Sequence, residues 1–133
     1  MSAKEFKLQL NKEILDTDEK INIALQKIGV DALKNVVKKS PVDTGRFRGN
    51  WQTTISSTTS NTLKRTDRVG NATINAGTTK IVRFDYKKNK RIFIQNNLPY
   101  ANRLENGWSK QAPKGMVSQT IQLLNARYRE ILI

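Results

Sequence analysis

At 133 residues and 15.2 kDa the chain has the size of one domain, residues 1–133, and its 37% hydrophobic and 26% charged content suits a folded core rather than disorder. It contains no cysteine and no histidine, which excludes disulfides, thiolate nucleophiles, cysteine-bound metal centres and imidazole bases or ligands, and with them most enzyme chemistry. Lysine and arginine number 24 against 11 acids, for a net charge of +13, and residues 41 to 110 supply +9 of it; such a balance favours a polyanion or an acidic protein surface.

In chain order, Phe6, Leu8 and Leu10 alternate with Lys7 and Gln9, the period of a short strand near a sheet edge. From Asn11 to Lys39 there is no proline, and Ile14, Ile21, Leu25, Ile28, Ala32 and Val36 recur along one helical face. Ile23, Ala24, Leu33 and Val37 widen that face, so a long helix should lie across a sheet or within an oligomer. Asp16, Asp18 and Glu19 sit early and Lys34, Lys38 and Lys39 late, as the helix dipole prefers. Ser40-Pro41 stops it, because the residue before proline is pushed out of the helical region. A turn follows through Arg46, and Phe47, Gly49, Trp51, Thr53 and Ile55 then share one face of an expected strand.

Residues 56 to 70 are rich in serine, threonine and asparagine and carry Lys64, Arg65 and Arg68, the composition of a mobile basic loop. Asn71 to Phe84 supports two readings: a helix interrupted at Gly77-Thr78-Thr79, or a strand at Ile81-Val82-Arg83-Phe84. The strand pattern Arg91 to Asn96 suggests a hairpin over 81 to 95, with Lys87, Lys88, Lys90 and Arg91 at its tip. Pro113 suits the first turn of a final helix, in which Met116, Thr120, Leu123, Leu124, Tyr128 and Ile131 form the inward stripe. No apolar run approaches the ~20 residues that cross a bilayer, and Met1 to Glu5 lacks a signal-peptide core, so synthesis in a cytosol-like compartment is expected. The sum is an α+β fold: a long N-terminal helix and a C-terminal helix on a small, mostly antiparallel sheet, with long loops.

Chemistry-bearing constellations are few. Asp43-Thr44-Gly45 is the triplet of the dimeric aspartic proteases, but Arg46-Phe47-Arg48 follow it. Neighbouring cations would depress the carboxyl pKa that the protease mechanism needs raised. The alternative is a turn with Gly45 in a conformation closed to other residues. Glu105 is the only acid between Asp85 and Glu130, so no local carboxylate pair serves hydrolysis or metal binding. No glycine-rich phosphate loop is present. No enzymatic activity, cofactor, metal or small-molecule substrate is expected. Phe84, Tyr86 and Phe93 near the basic residues 87–91 loosely fit a base-stacking surface, which keeps a free-standing nucleic-acid-binding protein as the chief alternative to a structural role.

Two blocks carry a resemblance: Ser40-Pro41-Val42-Asp43-Thr44-Gly45-Arg46-Phe47-Arg48-Gly49-Asn50-Trp51, and Asn96 through Val117 with Leu98-Pro99-Tyr100-Ala101-Asn102-Arg103-Leu104-Glu105-Asn106-Gly107-Trp108 inside it. Together they resemble the small tail-component family of long-tailed bacteriophages, the tail-completion or neck proteins of lambda-like and related phages. The resemblance implies a virion protein without catalysis, assembled in the host cytoplasm. It would form a ring, six-fold by expectation, at the head-proximal end of the tail and help to join it to the capsid, touching other neck, connector and tail proteins. The family usually has a helical or alanine-rich stretch where this chain has Asn71 to Phe84, and Asp85 to Lys90 resembles a basic insertion. Beside that reading, aromatic and arginine residues are favoured interface anchors. Arg46, Arg48, Trp51, Tyr100, Arg103, Glu105 and Trp108 are therefore the candidate subunit contacts, with intramolecular packing the alternative. Lys64, Arg65, Arg68, Lys87, Lys88, Lys90 and Arg91 are candidates to line a DNA-conducting lumen or to meet an acidic partner.

Overall fold

A computed structural model describes residues 8–133 and shows an α+β fold, with five α-helices and one two-stranded antiparallel sheet. The long helix α1 (Asp18–Lys39) begins seven residues later than the apolar spacing suggests. Asn11 closes a separate turn, accepting from the amides of Ile14 and Leu15. Thr17 then caps the helix, its hydroxyl accepting from the amide of Lys20 at 3.1 Å. The helix ends as expected at Ser40, whose amide and hydroxyl donate to the carbonyls of Val37 and Val36. Its inner face, including Leu33, Val36 and Val37, enters the main core with Phe47, Trp51, Ile74, Ile81, Leu98 and Met116.

The first strand is shorter than the sequence pattern implies. Phe47 to Asn50 turn tightly, with Asn50 donating to the Phe47 carbonyl at 3.0 Å, and β1 covers only Trp51–Ile55. Gly49 explains the difference, since a Cβ there would lie 2.6 Å from the Arg65 carbonyl oxygen. The chain turns away from extended geometry to bring this glycine against the following loop.

The hairpin expected over 81–95 does not form. Residues 71 to 81 are instead helix α2 (Asn71–Ile81), followed by one helical turn, α3 (Tyr86–Asn89), and then β2 (Ile92–Asn96). The partner of β2 is β1, in the register Trp51↔Asn96, Thr53↔Ile94 and Ile55↔Ile92. Gly77 is not a helix break but a point of close approach: a Cβ there would fall 2.4 Å from Leu33 and 2.5 Å from Thr53. Packing of α2 onto α1 and β1 therefore outweighs the poor helix propensity of Gly77-Thr78-Thr79.

The short α4 (Ala101–Glu105) leads to α5 (Val117–Arg127), which does not begin at Pro113 as expected, because a turn closed by the Gly115 amide on the Ala112 carbonyl intervenes, and which ends before Tyr128 and Ile131. Asp31 on α1 fastens its end, accepting from Arg127 at 2.6 Å and from the Tyr128 hydroxyl at 2.8 Å. Beyond α5 the chain returns alongside the other terminus: Leu10 bridges Leu132, and the Asn11 amide donates to the Ile131 carbonyl. Leu8 and Leu10 of the first alternating segment thus pack near the C-terminal tail rather than on the edge of the sheet; Phe6 lies outside the described residues.

Candidate assembly surface

The two sequence blocks meet in space. Gln111 from the second brackets Val42 from the first, accepting from its amide at 2.9 Å and donating to its carbonyl at 3.0 Å. Asn96, fully buried at the end of β2, donates to the Phe47 carbonyl at 2.9 Å. The Phe47 ring contacts both Trp51 and Tyr100, with centroids 5.8 and 6.0 Å away. Residues 49 to 69 positions apart are thereby brought together beside the end of α1.

There Arg48 and Trp51 face inward. The Arg48 guanidinium donates to the carbonyls of Ser40 and Arg68 at 2.7 Å and of Lys38 at 3.2 Å, tying the end of α1 to the loop. Burial lowers its pKa, opposed by the charge of Asp67. Trp51 is buried, and its indole N–H donates to the Ser40 hydroxyl at 2.7 Å. Gly45 in the Asp43-Thr44-Gly45 triplet is a turn residue at φ 90°, and a Cβ on it would lie 2.7 Å from the Arg68 amide. Its carbonyl accepts from the amides of Gly49 and Asp67, while the Asp43 side chain is exposed.

Glu105 also faces inward. Its carboxylate accepts from the amides of Met116, Val117 and Ser118 at 2.8–3.0 Å, supplying the cap that Met116, with no capping side-chain bond, leaves missing at the start of α5. Gly115 makes this possible: at φ 82° it passes so close that a Cβ would lie 2.4 Å from the Glu105 carbonyl. Four of the seven candidate contacts remain on the outside: Arg46, Tyr100, Arg103 and Trp108. Trp108 is 72% exposed, with the Arg103 guanidinium 5.1 Å from its ring centroid.

The segment 56–70 is not a loose loop. Asn50, fully buried, donates to the carbonyls of Arg46 and Leu63 and accepts from the Leu63 amide. Gln52, Gln95 and Asn97 hold Thr59 and Asn61 in the same way. Asp67 anchors the start of α2, accepting from the amides of Gly70 and Thr73 and from the Thr73 hydroxyl at 2.7–2.8 Å. Burial alone would raise its pKa, but these bonds and the nearby Arg65 hold it below the usual carboxylate value. Sequence reasoning overlooked these amides and Asp67. Their only signal was a density of asparagine and glutamine at strand ends, where extended backbone leaves carbonyls to satisfy.

The seven basic candidates fall into two groups rather than one patch. Lys64, Arg65 and Arg68 lie toward the end of α1, where Lys38 reaches the Val69 carbonyl at 2.8 Å. Arg65 donates to the carbonyls of Gly49 and Trp51, and Arg68 to that of Asp43. Lys87, Lys88, Lys90 and Arg91 lie near its beginning, where Asn22 accepts from the Tyr86 amide at 2.6 Å; Lys90 sits 4.7 Å from the Tyr86 ring centroid. Asn22 and Lys38 are about 24 Å apart along a helix rising ~1.5 Å per residue. Among the described residues no group of three His, Cys, Asp or Glu could hold a metal ion, and no helix is long and apolar enough to cross a membrane.

Residues 4–107 match the family model described as "Bacteriophage HK97-gp10, putative tail-component". No curated protein and no solved structure matches the chain.

Proposed function

Because the chain belongs to the HK97-gp10-like family of bacteriophage tail components, over most of its length, we propose that it is a structural subunit of the head-proximal end of a phage tail. In this reading copies join in a ring, six-fold by expectation, which completes the tail and helps connect it to the capsid neck. The observation that carries it beyond family membership is the exposed Tyr100-Arg103-Trp108 cluster. An indole left 72% exposed beside a turn that Glu105 and Gln111 fasten to the rest of the fold has the size and accessibility of a contact anchor. Arg46, also exposed, directly precedes Phe47, whose ring contacts Tyr100.

The basic groups serve passage of DNA through such a ring better than tight capture of it. Arg65 and Arg68 are committed to backbone carbonyls, and Lys87 shares a groove with Asp18, Glu19 and Asp85. Contact with phosphate would be non-specific and steeply weakened by salt. These features favour the structural role over a free-standing nucleic-acid binder.

The test is genetic and visual. A phage unable to make this chain should give filled heads and tails that do not join, seen by electron microscopy, and a plasmid copy should restore whole particles. Normal particles without the chain would refute the role.

A further inference from the structure

A chain with net charge +13 repels its own copies at long range, so self-association depends on bringing whatever acidic surface it has to a basic one. The described residues hold such surfaces at opposite ends of α1. At the N-terminal end Glu13, Asp16, Asp18 and Glu19 are all exposed; among the described residues Asp16 alone of these four is ion-paired, with Lys20 at 2.9 Å, and Lys87 lines the same groove as Asp18 and Glu19 without pairing to either. Ile14, in the midst of them, is 50% exposed. At the C-terminal end an open groove runs between the last turn of α1 and the start of α5, lined by Lys38, Lys39, Arg48, Gln111, Lys114 and Gln119 and by no acid. Lys39 and Lys114 make no side-chain hydrogen bond or ion pair among the described residues, and Arg48 Nε is buried there without a partner.

Resting on the ring reading above, we infer that the acidic turn at residues 13–19 of one copy seats in this basic groove of the next. The two surfaces lie at the two ends of a 22-residue helix, about 33 Å apart, so one copy cannot satisfy both from within itself. A contact between different surfaces of identical chains is heterologous, and repeated with a closing rotation it produces a ring. A nucleic-acid phosphate would engage the groove and make no use of the acidic turn; a second copy engages both. Ile14 adds an apolar contact to an otherwise polar seat.

The test is charge reversal read by sedimentation of the full chain in low salt, with circular dichroism confirming that each variant is folded. Glu13→Lys with Glu19→Lys, and separately Lys39→Glu with Lys114→Glu, should each weaken self-association at least tenfold. All four changes in one chain, or an equal mixture of the two variants, should restore it. Wild-type association should itself fall as salt rises. A wild-type monomer at every concentration, a groove variant that associates normally, or a four-fold reversal that fails to restore association would overturn the inference. So would a groove variant that loses only its retention of duplex DNA. Tails that still carry a ring of the groove variant would sink this interface and leave the ring reading standing; a wild-type chain absent from tails would sink the ring reading itself.

Discussion

The two tryptophans show how far identity alone carries at the scale of one residue. Both stood in the sequence beside arginines within the two motif blocks, yet Trp51 is buried against Ser40 and Trp108 is exposed over Arg103. No local pattern separates them, because burial is decided by where Phe47 and Leu98 bring the second block. The consequences differ. Trp108→Ala should change folding stability by less than about 0.5 kcal/mol, as exposed sites do, while reducing incorporation into tails; urea titration and tail composition measure the two effects. Trp51→Phe should leave Ser40 without its donor and cost about 1–3 kcal/mol. Equal destabilisation by both would contradict this division of roles. Asp43→Asn should leave both stability and assembly unchanged, since the Asp43 contact that matters is its backbone carbonyl to Arg68.

Elements whose ends carry ordinary signals were legible, and elements fixed by long-range contacts were not. The stop of α1 at Ser40-Pro41 and the presence of a final helix with Thr120 and Leu124 turned inward followed from local chemistry, while Met116, Tyr128 and Ile131 of the expected stripe lie outside that helix. Helix α2 did not, because the glycine that makes it look interrupted is required by Leu33 and Thr53 from other elements. Gly77→Ala should therefore destabilise the fold by about 1–3 kcal/mol by overpacking, although alanine would gain ~1 kcal/mol in an isolated helix; a stabilised variant in thermal melts would argue against the close approach. The acidic caps were likewise hidden, since Glu105 lies eleven residues before the first amide it holds. Glu105→Ala should cost about 1–3 kcal/mol by freeing backbone donors at the start of α5. For Asp67 the folded pKa lies below the unfolded one, so its contribution is complete above the ordinary carboxylate value of ~3.9. It is lost as pH falls through the lower folded value. The stability gap between wild type and Asp67→Asn should accordingly shrink below about pH 4, and a gap that persists undiminished into strong acid would show that Asp67 does not act through its charge.

At the scale of the molecule the α+β class was legible from helical and alternating periods, and the tail-component family from two blocks that the fold brings together. Composition favours a polyanion or an acidic protein surface, because the chain carries +13 on 133 residues. What composition could not show is its distribution: one basic group near each end of α1, with the acidic turn at the start of the helix and the basic groove at its end. The central proposal is that this chain is a ring subunit where the tail meets the head. Cryo-electron microscopy of tails purified from a phage that carries it tests that most directly. Density for α1, the two-stranded sheet and α5 is expected to repeat in a closed ring at the head-proximal end, with Trp108 in a protein contact. Tails lacking that ring, with the chain recovered instead in a salt-sensitive complex with nucleic acid, would contradict it.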